Sequence, residues 1–301
     1  MKRLAVIVLN WNGLRDTLAA LDSLARCRMP AGWTLWTIVV DNGSTDGSAE
    51  VLRSRPGAEL IALPGNARFA GGNNAGLRRA LAGKADAIAL LNNDTEADAA
   101  LFERLLLALE QDPGAGAAGP LIYYAPPSAR IWYAGGECEP GLAWARHRGI
   151  GATDEGQFRS IENTGYITGC CLLAPGAVWE RVGLLDEDYY IYAEDSDWCL
   201  RARALGYRLL FVPTARLWHK VSASSGNDSP WKIYHRVRAN LRLCGRHARG
   251  LGRVLWVPAS LALNTALVGW LLVRGRAAAA AAVPRAILDA LRGVRPGEAM
   301  P

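Results

Sequence analysis

The chain has 301 residues, 50% of them hydrophobic and 21% charged, with a formal net charge of +6. This length holds one large α/β domain plus an appendage, and this composition demands a packed core, which excludes a disordered chain. The positive balance favours anionic partners such as phosphates or a lipid surface, whereas nucleic acid is not expected, because residues 1–220 carry no Lys/Arg stripe interleaved with aromatics. An unbroken apolar run from Leu4 to Leu9 predicts a buried parallel strand, and Leu14, Leu18, Leu21 and Ala25 follow at helical spacing. Leu35 to Val40 predicts a second strand ending at Asp41, and Asp46-Gly47-Ser48 offers cap chemistry for a helix over Ala49 to Arg53. Glu59 to Leu63 reads as a third strand, Gly71 to Leu81 as a helix with a glycine-rich start, Ala85 to Leu91 as a fourth strand and Ala97 to Glu110 as a helix. Such alternation implies a parallel sheet covered on both faces.

From about Gly114 to Gly165 the pattern loosens, and Gly, Pro and aromatic clusters such as Tyr123 to Pro127 and Trp132 to Gly136 predict loops and short strands facing a substrate. Tyr166 to Ala174 reads as a buried strand, Asp195 to Leu205 as a helix and Tyr207 to Val212 as a strand. After Gly226 the character changes, dividing the chain into residues 1–225 and a basic, apolar helical segment over 226–301. Cys27, Cys138, Cys170, Cys171, Cys199 and Cys244 show no C-x-x-C spacing and are read as reduced, mostly buried thiols of a cytosolic protein. Lys2 and Arg3 precede only a short apolar run ending at Asn10, which argues against a cleaved signal peptide.

Three polar clusters close strands: Asn10-Trp11-Asn12, Asp41 to Asp46, and Asn92-Asn93-Asp94. Ligands of open α/β sheets bind outside the carboxyl ends of the strands, so three such ends point to one cleft, although Asx residues also simply end strands and begin turns. The densest chemistry lies at Glu194, Asp195 and Asp197, three carboxylates within four positions. Carboxylates this close repel one another and need a proton, a cation or a substrate hydroxyl. The same trio is also readable as an acidic helix start stabilised by the macrodipole. Asp186, Glu187 and Asp188 are read as loop and structural.

Taken in order, the segments Val6 to Gly13, Val39 to Ser48, Phe69 to Gly76, Leu90 to Thr95, Ile167 to Cys170 and Tyr192 to Asp197 resemble the motifs of the family-2 inverting glycosyltransferases, above all the bacterial rhamnosyltransferase-like group. The resemblance covers about residues 3–220. It implies a GT-A, Rossmann-like and mostly parallel sheet with helices on both faces, carrying the C-terminal helical appendage. It implies inverting transfer from dTDP-rhamnose or a UDP-hexose to a glycan or lipid-linked acceptor in bacterial cell-surface polysaccharide synthesis.

The resemblance also assigns roles. Asp41 would accept a hydrogen bond from a pyrimidine N3–H, Trp11 would stack on the base, and Arg68 would pair with the base or the diphosphate, with Asn10, Asn74 and Asn93 alongside. From the residues alone, Trp11 is equally readable as core and Arg68 as surface. Asp94 is the implied metal ligand, with Asn92 in place of the first acid of the Asp-x-Asp common among relatives, and His219 joins it. A carboxylate with an imidazole suits Mn²⁺ or Mg²⁺ once diphosphate oxygens complete the shell. Asp195 is the implied general base, with Glu194 and Asp197 crowding it and raising its pKa, while Thr168 and Gly169 line the acceptor side.

Val254 to Val273 is twenty uncharged residues, long enough to span a bilayer, yet Pro258, Ser260, Asn264 and Thr265 interrupt it, and Trp256, Ser260 and Asn264 share one stripe. A single span would send Arg274, Arg276, Arg285, Arg292 and Arg295 outward, against the positive-inside tendency. Helices lying on, or dipping into, the cytoplasmic leaflet are therefore expected, making the protein cytoplasmic and peripheral on the inner face of the membrane. The alternative is a helical hairpin buried on the domain or on a partner subunit of a homo-oligomer. A competing reading of the whole chain is a catalytically inactive sugar-nucleotide-binding scaffold, supported by Asn92. A nucleotidyltransferase is disfavoured, because no glycine-rich activating loop with an early Arg/Lys pair follows the first strand.

Overall fold

The computed structural model describes residues 1–125, 128–221 and 229–294. Its first part alternates β1 (Lys2–Asn10), α1 (Leu14–Ala25), β2 (Trp33–Asp41), α2 (Ser48–Arg53), β3 (Ala58–Ala62), α3 (Arg68–Ala82), β4 (Ala87–Asn92), β5 (Thr95–Ala97) and α4 (Leu101–Gln111). Then come β6 (Ala115–Tyr124), β7 (Ile131–Tyr133), β8 (Gly136–Glu139), β9 (Trp144–His147), β10 (Glu162–Asn163) and β11 (Cys171–Pro175). They lead into α5 (Gly176–Val182), α6 (Glu194–Ala204) and β12 (Arg208–His219), and the chain continues with α7 (Pro230–His247), α8 (Gly252–Val273) and α9 (Ala277–Leu291). The expected boundary at 225/226, the Pro126-Pro127 pair and Arg295 lie outside the described residues.

The main sheet runs β10-β12-β6-β11-β4-β1-β2-β3, with β5 added to β12 and β7 to β6. β3, β2, β1 and β4 are all parallel, so their carboxyl ends open on one edge. β11 lies antiparallel between β4 and β6, and β12 is again parallel to β6. β1 shows why the sheet needs cover on both faces. Leu4, Val6 and Val8 belong to one apolar cluster with Leu21, Leu24 and Leu101 of α1 and α4. Ala5 and Ile7 belong to another with Leu77 of α3 and Trp179 and Trp198 of α5 and α6. Strand side chains alternate with period two, so an unbroken apolar run must be buried twice.

The glycine-rich start of α3 serves packing. A Cβ on Gly72 would stand 2.5 Å from Leu9 Cδ1, and one on Gly76 would stand 2.5 Å from Ile7 Cγ2. These glycines let the helix lie directly on β1.

The looser region from Gly114 conceals a ten-residue central strand, β6, where the composition predicts loops and short strands. Its sequence, AGAAGPLIYY, is poor in β-branched residues. The small residues have a steric cause: a Cβ on Gly119 would come within 2.5 Å of Ile167 Cγ2. Pro120 lacks an N–H for the ladder, and the register of β12 slips between Val212 and Arg216, opposite Pro120 and Leu121. The strand expected from Tyr166 begins only at Cys171, and the segment before it instead forms part of the site.

Candidate active site

The three polar strand ends meet in one hydrogen-bond chain. Asn93 Nδ2 donates to Thr17 Oγ1 at 3.0 Å, Thr17 Oγ1 donates to Asn10 Oδ1 at 2.7 Å, and Asn10 Nδ2 donates to Asp41 Oδ1 at 2.7 Å. The Ser44 amide donates to the second Asp41 oxygen at 3.1 Å. Asp41 is therefore buried with both oxygens held, and Asn10 is fully buried beside it. Asn42 then ties this loop to the start of α3, accepting from the Ala67 amide at 2.8 Å and donating to the Arg68 carbonyl at 3.1 Å. Trp11 stands out of this lattice at 54% exposure, so it is not a core residue.

Seven non-glycine residues among those described have φ in the left-handed region, and four of them (Asn12, Arg68, Tyr192 and Ala193) belong to segments bordering this edge. Tyr192 and Ala193 are consecutive, at φ 71° and 67°, and they turn the chain into α6. Held this way, Glu194 and Asp195 occupy its first turn. Backbone strain of this kind costs about 1–3 kcal/mol per residue and concentrates where a side chain must be aimed.

Asp195 is gripped on both oxygens. The Gly169 amide donates to Oδ2 at 2.8 Å, and the Ser196 amide donates to Oδ1 at 2.6 Å. Burial pushes its pKa up, and these hydrogen bonds oppose the rise without cancelling it. Glu194 is buried more deeply; desolvation first, then the neighbouring Asp195 charge, raise it to about 8. Its Oε2 is buried without a hydrogen-bond partner.

Asp197 departs from the expected crowding. Burial favours its protonated form, but His247 and Arg201 at 2.7 and 2.8 Å, with Arg246 at 3.4 Å, outweigh that and hold its pKa below the usual carboxylate range. Asp197 is fully buried and fastens α6 to α7; its carboxylate is committed to the fold rather than to a substrate. Asn74 is likewise committed. It donates to the Leu185 carbonyl and to Glu187 at 2.9 and 2.8 Å and accepts from the Leu185 amide at 3.0 Å, which anchors the loop before α6. In that loop, Asp186 pairs with Arg242 and Arg246, and Asp188 pairs with Arg242, so these acids tie it to α7.

Asp94 and His219 come together although they are distant in sequence. β5 pairs with the end of β12, placing His219 opposite Thr95, and Asp94 Oδ1 lies 3.1 Å from His219 Nε2. No cluster of three or more His, Cys, Asp or Glu side chains suited to a metal occurs among the described residues. Two adjacent donors, one oxygen and one nitrogen, fit a divalent cation whose shell a diphosphate completes. Thr168 is buried, and its hydroxyl accepts from the Cys170 amide at 3.3 Å, closing the turn that presents Gly169. The carbonyl of the next residue, Cys170, accepts from the Asn92 amide at 3.0 Å, so the turn that grips Asp195 is tied to the strand end that leads to Asp94. Burial first, then Asp94, Cys171 and Asp195, push the Cys170 thiol pKa up.

An aromatic floor was foreshadowed only as a substrate-facing cluster. Trp132 meets His219 edge-on at 4.5 Å and His147 at 4.4 Å. Burial pushes His147 down to about 4, so it is neutral, and its Nδ1 must donate to the Trp132 carbonyl 3.1 Å away. Near the loop before α6, Arg68 stacks over Tyr190 at 4.3 Å, which ties the start of α3 to that loop.

Residues 5–181, more than half of the chain, match the family described as Glycosyl transferase family 2. The chain is 31% identical over 241 residues to the uncharacterized protein y4gI of Sinorhizobium fredii, an alignment that covers 76% of this chain and 26% of that protein, so the chain spans about a quarter of its length. Over 232 residues it is 29% identical to the N-acetylglucosaminyl-diphospho-decaprenol L-rhamnosyltransferase of Mycobacterium tuberculosis, covering 70% of this chain and 75% of that protein. Over 249 residues it is 26% identical to the dTDP-rhamnosyl transferase RfbF of Shigella flexneri, covering 77% and 79%. The mannosyltransferase PcManGT from Pyrobaculum calidifontis, solved with GDP-Man and Mn²⁺, superposes with a TM-score of 0.59 over 96% of this chain and 86% of that one, at 17% identity. That likeness concerns the fold, which is of GT-A type, and the family match on the sheet edge that gathers these side chains makes the chain a member of glycosyl transferase family 2.

Proposed function

We propose that the chain is an inverting, metal-dependent glycosyltransferase moving a sugar from dTDP-rhamnose or a UDP-hexose to a lipid-linked glycan acceptor in bacterial cell-surface polysaccharide synthesis. The observation that carries this reading is that the Gly169–Cys170 turn joins both parts of the site: its Gly169 amide holds Asp195, and its Cys170 carbonyl is bonded to Asn92 at the strand end that leads to the Asp94–His219 couple. The rhamnosyl donors and the diphospho-lipid acceptor named for the two characterised relatives support the choice of substrates.

In this reading Trp11 stacks on the base and Arg68 pairs with the diphosphate, while the Asn10–Asp41 lattice shapes the donor pocket. Asp94 and His219 would hold Mn²⁺ or Mg²⁺, which when bound would offset charge on the departing diphosphate. Asp195 takes the proton of an acceptor hydroxyl as its oxygen attacks the anomeric carbon. The bond to the diphosphate oxygen breaks on the opposite face, and the configuration inverts. The raised pKa of Asp195 favours its role as base, and holding both reactants in one cleft provides much of the rate. Glu194, protonated at neutral pH, is a hydrogen-bond donor for an acceptor oxygen.

We further place the chain on the cytoplasmic face of the membrane. α8 is long and apolar enough to cross a bilayer by composition, and only 11% of its most apolar window is buried. Arg253 in its first turn and Arg274 just after its last residue put a cation at each end, as suits a helix lying along an anionic leaflet. α7 and α9, by contrast, pack on each other through Tyr234, Val237, Val283 and Ala286.

Incubation with a nucleotide-sugar panel and Mn²⁺ tests the function. Turnover of dTDP-rhamnose or a UDP-hexose is expected, with the β-configured product of an α-donor or its converse. Tight donor binding without transfer or hydrolysis would instead establish an inactive scaffold.

A further inference from the structure

A cavity of about 1220 Å³ lies between the 187–191 loop and helices α7, α8 and α9. It exceeds the roughly 300–1,000 Å³ that a drug-sized ligand fills. Trp256 and Leu261 of α8 face it with Ile287 and Leu291 of α9, so its wall is largely hydrocarbon on that side, while Glu187, Asp188, Arg238 and Arg242 line it on the side of the loop and α7. Ser260 and Asn264, the polar stripe that interrupts α8, also line it.

Its relation to the candidate active site is direct. Tyr190 and Ile191 form part of the wall, and the same strand of chain runs through Tyr192 and Ala193 into Glu194 and Asp195. The Tyr190 hydroxyl is buried without a hydrogen-bond partner. Two guanidiniums flank this loop, Arg68 over the Tyr190 ring at 4.3 Å and Arg236 over the Tyr192 ring at 5.3 Å. Neither pairs with a carboxylate among the described residues, so both leave positive charge along the segment that joins the cavity wall at Tyr190 and Ile191 to Asp195. Outside the cavity, α8 presents exposed Val254, Leu263 and Leu272, an apolar surface along which a lipid can enter.

We infer that this cavity seats the hydrocarbon chain of a prenyl-diphosphate-linked acceptor, with the diphosphate against Arg236 and the sugar reaching Asp195. The inference rests on the proposed lipid-linked acceptor and adds where its lipid is held. Charge complementarity selects an anionic head, apolar walls select a long hydrocarbon tail, and continuity with Asp195 selects a reactant over a bulk membrane lipid.

The test uses the full chain and farnesyl diphosphate as probe, with inorganic diphosphate, farnesol and lysophosphatidylglycerol as comparisons. Farnesyl diphosphate should bind at least about tenfold tighter than inorganic diphosphate or farnesol, since each lacks one of the two contacts. Ser260→Trp, which narrows the cavity, and Arg236→Ala, which removes the head contact, should each weaken it by about tenfold. A photoreactive farnesyl diphosphate should label α8 or α9 in the unmodified protein, a readout that stands even if a variant fails to fold. Labelling confined elsewhere, or lysophosphatidylglycerol displacing the probe as well as unlabelled farnesyl diphosphate does, would overturn the inference. Hydrolysis of dTDP-rhamnose is measured separately: turnover without prenyl-diphosphate binding defeats this inference alone, and binding without turnover of any nucleotide sugar defeats the glycosyl-transfer reading alone.

Discussion

The backbone amide of Gly169 donates to Asp195 Oδ2 at 2.8 Å, so the carboxylate read as the base is aimed by the turn before β11 rather than by its own helix alone. Asp195→Asn preserves the shape of the side chain and an oxygen for that amide but cannot take a proton. Transfer should fall by about 10²–10⁴-fold while the dissociation constant of the donor nucleotide stays unchanged. Initial rates beside calorimetric titration decide it; equal losses of rate and binding would remove Asp195 from the base role.

Asp94 and His219, the proposed holders of the cation, stand 3.1 Å apart. Chelator should abolish transfer and Mn²⁺ should restore it. His219→Ala should raise the Mn²⁺ concentration required for half-maximal rate by about tenfold or more, by analogy with losses around other metal sites. A Mn²⁺ titration followed by electron paramagnetic resonance in the presence of dTDP checks it, and an unchanged affinity would exclude the imidazole from the shell.

Glu194 carries a pH signature. Its pKa rises from an ordinary 4.5 to about 8 in the folded chain, so between those values the native state keeps a proton that the unfolded state has released. Stability should therefore be greatest at the acid end of that window, fall as pH rises through it, and level off above. Glu194→Gln should flatten this slope and raise the melting temperature above about pH 8. Thermal melts of both proteins across the window measure it; parallel curves would refute the shift.

Asp197 predicts the opposite behaviour, because its pKa is held low by its cationic partners after burial is overcome. Its contribution is present above the ordinary carboxylate range and is lost as pH falls through the depressed folded value. Asp197→Ala leaves Arg201 and His247 without their shared anion and should cost about 3–5 kcal/mol. Urea denaturation provides the number, and a fully stable variant lacking only activity would return Asp197 to the substrate site.

Trp11, at 54% exposure beside the Asn10–Asp41 lattice, is free to stack on a base. Trp11→Ala should weaken donor binding by about 1–3 kcal/mol with little change in stability. Competition between dTDP and UDP in a binding assay reads this directly; unaltered affinities would place the base elsewhere.

Much of the fold was legible because burial on two faces writes an unbroken apolar run into each central strand, as at Leu4–Leu9, and because polar residues stop those runs where the sheet opens, as at Asn10, Asp41 and Asn92. β6 was not legible, because close contact with Ile167 selects Gly119 and suppresses the β-branched signature. Spacing likewise marked the acidic trio after Tyr192 without sorting it. Only the tertiary structure divides it into an aimed Asp195, a protonated Glu194 and an Asp197 bound by His247 and Arg246 of α7, since pKa and hydrogen bonding depend on which distant groups come near. The sequence by itself determined the strand–helix order and the residues available for chemistry, through local periodicity and turn chemistry. Which of them meet, such as Asp94 with His219, and which serve packing, such as Asn74, was decided by long-range pairing that no local pattern encodes.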